Sequence, residues 1–135
     1  LDIHQSTLLR ERNFGDLRGR AYAQLDFDPL ALEQAPPNGE SMAAFHTRVA
    51  EALAYMSEQA ARFGQQVFVV THGLVIHGVL EHHALLAPTF SLPARIDNAS
   101  VSSIAAQPPH HAQRINCTAH LSAALSGEAR DGASA

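Results

Sequence analysis

Val67-Phe68-Val69-Val70-Thr71-His72-Gly73-Leu74-Val75-Ile76 is the stretch on which the fold turns. Its first four residues lack polar alternation, the pattern of a strand covered on both faces, as in parallel sheets. Gln66 to Thr71 therefore predicts a buried strand, and Leu74 to Leu86 a helix that Pro88 closes. His72-Gly73 falls between them, at the carboxyl end of the strand and the amino end of the helix. In open α/β sheets that edge is where ligands bind, and the free amides of a helix amino terminus suit an anion, phosphate above all.

Upstream, Met42, Phe45, Val49, Leu53, Met56, Ala60 and Phe63 recur at intervals of three and four, the stripe of a helix that lays one face on a core. Ser41 is the expected N-cap and Gly64 the expected C-cap. Before it, Leu8 to Gly19 is polar and Gly-punctuated, Arg20 to Leu25 predicts a short helix, and Asp26 to Gly39 reads as a loop or lid. Downstream, Ser100 to Ala105 and Ala112 to Cys117 predict two strands joined through Pro108-Pro109. Small and polar residues from Ser122 on predict a mobile tail, so a domain over 1–121 is followed by a flexible 122–135. Helix, strand, helix order indicates the α/β class.

A chain of 135 residues with 46% hydrophobic and 16% charged residues suits one soluble domain with a core. No apolar run approaches the roughly 20 residues that cross a bilayer, and Leu1-Asp2-Ile3-His4 does not open a secretory signal. Together with the single Cys117, these features lead to an expected cytoplasmic location. A net charge of -4 without a basic run leaves no footprint for nucleic acid. Every basic residue is Arg, which removes P-loop and Schiff-base lysine chemistry. A phosphate here must be held by Arg, His and backbone amides, a task that the planar guanidinium suits.

Three blocks then spell a family: Leu9-Arg10-Glu11-Arg12-Asn13-Phe14-Gly15-Asp16-Leu17-Arg18-Gly19, Asn38-Gly39-Glu40-Ser41, and Val69 to Ile76. In order and spacing they resemble the histidine phosphatase superfamily, which includes cofactor-dependent phosphoglycerate mutases and many small phosphomonoesterases. Asp97-Asn98-Ala99-Ser100-Val101 and Ile115-Asn116-Cys117 to Leu121 are similar to that family's closing strands. The resemblance implies a three-layer α/β sandwich of the phosphoglycerate mutase type with a mostly parallel sheet. It also implies a metal-independent phosphoryl transfer, with no cofactor, through a phosphohistidine.

By that resemblance His72 is the second, phosphate-binding histidine and Glu11 the proton donor. Gly73 lets the backbone approach the phosphate and the Leu74 amide donates to it, while Arg12 and Asn98 match substrate-side positions. The partner implied is a small phosphorylated substrate or inorganic phosphate. His72 to Ile76, Asn98 to Val101 and Phe14, which stands where mutases carry a tyrosine, favour the phosphatases; Glu11-Arg12 is mutase-like. One part does not match. The family opens with a strand ending in Arg-His-Gly, which carries the nucleophile, and none of the nine histidines here follows an Arg; His4 stands between Ile3 and Gln5. The expectation is thus a C-terminal portion of the family's domain, lacking its first strand and inactive alone. The uncovered sheet edge would invite association, a homodimer among its forms.

Other readings compete at these residues. Glu11 is by default a surface carboxylate, and Asn38-Gly39-Glu40-Ser41 a turn before a helix. His72, His77, His82 and His83 are not spaced as ligands on one helix face, so no metal is expected. Cys117 with His120 reads as a buried thiol and not a nucleophilic pair. Two function classes stay open: a phosphomonoester hydrolase of the histidine phosphatase kind, or a truncated or degenerate, non-catalytic phosphate-binding or interaction module.

Overall fold

The computed structural model describes residues 3–64 and 66–121; the tail expected over 122–135 lies outside them. Among the described residues the elements are helix α1 (Met42–Phe63), helix α2 (Gly73–His82) and strands β1 (Ala84–Leu85), β2 (Val101–Ile104) and β3 (His110–Cys117). Single 3-10 turns at Thr7–Leu9, Gly15–Leu17, Tyr22–Gln24 and Pro29–Ala31 punctuate the segment before α1.

The predicted stripe and both predicted caps define α1. Ser41 is extended and its Oγ accepts the Ala44 amide at 3.2 Å, so one orphan amide of the first turn is satisfied. Gly64 closes the helix in the left-handed region, at φ 61°. The buried face of α1, Phe45, Val49 and Leu53, meets Val75 and Val79 of α2, with Met42, Met56, Leu74 and Ile104 packed around them. Fully burying one such side chain is worth about 1.5–3 kcal/mol, so this two-helix contact is the main hydrophobic term.

Four expectations are corrected. Helix α2 stops at His82 and not at Leu86, because Ala84 and Leu85 are extended and pair in parallel with His110 and His111. Gln66 to Thr71 is not a strand: Phe68 is 85% and Val70 95% exposed, and no backbone hydrogen bond of 67–70 occurs among the described residues. A strand is defined by its neighbours, and no described segment lies alongside to supply them. In place of a mostly parallel sheet, the described strands form a small mixed one in the order β1-β3-β2. Its parallel pair is β1·β3 and its antiparallel pair β2·β3, the latter shifted in register between Val101, Ser103 and Ile104. Arg20 to Leu25 holds only the 3-10 turn Tyr22–Gln24.

At the carboxyl end of α2 the His46 and His82 rings stand 4.4 Å apart and those of His82 and His83 6.4 Å apart. Burial holds the His46 imidazole below its ordinary value of 6.5; repulsion from His82 adds to this, Glu81 and Glu33 oppose it, and Arg12 reinforces it. Burial does the same to His83, aided by His82, His110 and His46. Protons then bind the unfolded chain more readily than the folded one. The stability from these two groups is complete above pH 6.5 and is lost as the pH falls below it. Glu40 adds a second acid loss at lower pH, because its hydrogen bond from Arg48 holds it below its ordinary 4.5. Thermal melts from about pH 7.5 to about pH 5 are expected to show a falling Tm, flattened in a His46→Gln, His83→Gln variant. A Tm that rises over that interval would overturn the sign.

Candidate functional site

The site begins at the amino terminus of α2, where His72 is the N-cap. Its backbone is extended, its side chain makes no capping bond, and it is exposed. Without a side-chain cap, the first amides of α2 need an acceptor from elsewhere, and Glu11 supplies one. The Glu11 Oε2 accepts the Leu74 amide at 3.4 Å and its Oε1 accepts the Arg12 amide at 2.9 Å. A carboxylate from 63 residues upstream thus lies against the positive end of the helix, a placement the helix dipole favours.

On the other side of that terminus runs the turn Ile96 to Ser100. A Cβ on Gly73 would lie 3.8 Å from the Ile96 carbonyl oxygen, so the two backbones are near neighbours. Asn116, near the end of β3, fixes this turn reciprocally: its Oδ1 accepts the Asp97 amide at 2.8 Å and its Nδ2 donates to Asp97 Oδ2 at 2.9 Å. Asn98 stands exposed in the turn. Glu11, Gly73 and Leu74 are therefore brought together directly and His72 occupies the N-cap position of the same helix end, while Asn98 joins them only through the turn that carries it.

Arg12 is placed differently from a surface cation. It is 2% exposed, donates from Nε to the Glu40 carbonyl at 3.2 Å and from Nη2 to the Leu32 carbonyl, and reaches Met42 Sδ through Nη1 at 3.8 Å. Burial lowers its pKa, opposed by Glu40 and Glu33. Its guanidinium thereby ties the Asp26 to Gly39 loop to the start of α1, and a contact with substrate would require it to leave these carbonyls.

Arg48, which the sequence reading passed over, is the other organising cation. From α1 it holds Glu40 with both arms of its fork, Nε to Oε1 at 2.9 Å and Nη2 to Oε2 at 2.7 Å. The remaining donors reach the carbonyls of Leu8 at 2.8 Å, Arg10 at 2.7 Å and Glu11 at 3.4 Å. Thr71, next to His72, donates from Oγ1 to the Leu9 carbonyl at 2.7 Å. The sequence signal was Glu40 just ahead of the N-cap, with an arginine in the second turn of the helix it opens.

The next turn is stitched backbone to backbone, Asp16 N to Pro37 O at 3.0 Å and Glu40 N to Asn13 O at 2.8 Å. Gly15 makes that approach feasible: it sits at φ +52°, and a Cβ there would fall 2.0 Å from the Pro37 oxygen. Gly15→Ala is expected to cost about 1–3 kcal/mol in urea unfolding. An unchanged midpoint would mean that the turn rearranges freely.

With this geometry stands a family match. The chain belongs to the histidine phosphatase superfamily, branch 1, whose family model matches residues 1–118. No curated protein and no solved structure matches it. No helix of the described residues is long and apolar enough to cross a membrane.

Proposed function

We propose that this chain carries the acid and phosphate-binding half of a phosphomonoester hydrolase that works through a phosphohistidine. The observation that carries this reading is the Glu11 carboxylate held at the Leu74 amide, beside an uncapped His72 at the same helix end. A phosphoryl oxygen has the charge and the acceptor geometry to take over that amide, with His72 as a further donor. Glu11, displaced from that amide, is then free to serve the leaving oxygen.

In the intact enzyme the bond from phosphorus to the ester oxygen breaks as a nitrogen–phosphorus bond forms on an imidazole, and a proton that Glu11 takes from the ester's monoanion as it leaves the helix amides passes to the departing alkoxide. Water then attacks phosphorus, Glu11 recovers the proton, and the imidazole leaves as phosphate forms. The charge that builds on the equatorial oxygens is met by His72, by the amides of α2 and by arginine. Such a nucleophile needs the Arg-His-Gly setting of the family, which none of the nine histidines of this sequence has. The reading is thus of a half-site, and the same fact supports the second one, a phosphate-binding module without turnover.

Inorganic phosphate or orthovanadate, titrated by calorimetry, is expected to bind the chain, and His72→Ala to weaken binding about tenfold or more, the loss of one charge-assisted hydrogen bond. Equal affinity in the variant, or no binding at all, would remove the half-site. Purified chain is expected not to hydrolyse a generic phosphomonoester; measurable turnover abolished by His4→Ala would show that the nucleophile lies within these residues after all.

A further inference from the structure

We propose that Arg48, locked by its paired bonds to Glu40, is the positioning residue that aims the Glu11 carboxylate at the amino terminus of α2. The inference rests on the reading of that terminus as the phosphate site. Leu8 to Glu11 belongs to no sheet and, past the turn Thr7–Leu9, to no helix, so its carbonyls must find acceptor duty elsewhere or remain unpaired in a half-covered segment. Four in succession find it: those of Leu8, Arg10 and Glu11 accept from Arg48, and that of Leu9 accepts from Thr71.

Arginine has five N–H donors in a fixed plane, and Arg48 makes five bonds. Two go to Glu40, which sets the plane; three go to the segment, which the plane then holds. The guanidinium also lies 5.2 Å from the centre of the Phe45 ring, so its anchor is a core residue of α1. The pair is largely covered, with 14% and 16% of its side chains exposed, which limits screening by water. Glu40 further accepts the Asn13 amide at 3.3 Å. Both backbone neighbours of the Glu11-Arg12 pair are thereby fixed by the Arg48–Glu40 pair, and the Glu11 side chain is left only its own torsions with which to reach Leu74.

Lysine offers three donors around a tetrahedral centre and cannot reproduce this plane. The test is an NMR titration of the full chain between about pH 3 and about pH 7, following the Leu74 amide and the Glu11 carboxyl carbon. In the unaltered chain the Leu74 amide is expected to move with Glu11 ionisation, and Glu11→Gln to remove that movement. In Arg48→Lys the movement is expected to fall at least threefold while the later amides of α2 keep their positions. Should Arg48→Lys not fold, Glu40→Gln, which keeps the arginine and frees its plane, must show the same fall.

A full Leu74 response in a folded variant would overturn the proposal and make Arg48 a structural tie alone. Added inorganic phosphate separates this from the site reading. Loss of the Leu74 coupling in the variants, with no phosphate-induced shift of Gly73 and Leu74 in the unaltered chain, removes the phosphate site and keeps the aiming role. The opposite pair of results does the reverse.

Discussion

Backbone carbonyls to which no secondary structure donates govern how this chain is built. Most of the segment ahead of α1 is irregular, and each of its peptide groups still needs a partner. Two arginines answer for much of it, Arg12 at Leu32 and Glu40 and Arg48 at Leu8, Arg10 and Glu11. A guanidinium can serve several acceptors in one plane, which an ammonium cannot, and a basic complement made wholly of arginine is consistent with that demand. Were these bonds released, α1 and α2 would keep their mutual core, but Glu11 would be tied to α2 alone, through Thr71 and Leu74.

The core and the arginines divide the labour. Val49, Phe45 and Leu53 against Val75 and Val79 set the angle at which α2 is presented, which brings its amino terminus, through Thr71 and Leu74, to the Leu8 to Glu11 segment. Polar bonds then decide what stands in front of that terminus. Asn116 performs a similar service from β3 by holding Asp97, so the turn beside Gly73 is fixed from the sheet and the acid is fixed from the helix.

What could be read in the sequence follows from which signals are local. The helix α1 was legible to the residue because its stripe, Ser41 and Gly64 all lie within the segment they define. The two closing strands were legible within about two residues for the same reason. The end of α2 was not, because pairing with β3, some 26 residues on, decides it: Ala84 faces His110. Val67 to Val70 carries a strong strand signature, yet a strand exists only beside another, and composition cannot supply the neighbour. Among the candidate residues, His72 was singled out by its place ahead of a helix and Glu11 by motif resemblance, whereas Arg48 was missed because a side chain that binds carbonyls leaves no periodic trace.

The bonds that fasten Leu8 to Glu11 span 37 to 63 residues of chain, far more than the β2–β3 pairing does. Closing a loop of that length has an entropic cost that is recovered only after both of its ends are already formed. The fastening of Leu8 to Glu11 therefore carries a larger loop-closure cost than the pairing of β2 with β3. Opening there needs no global unfolding, only release of the bonds from Arg48, Thr71 and Leu74, so the Leu8 to Glu11 segment can part from the helices while their mutual core stays packed.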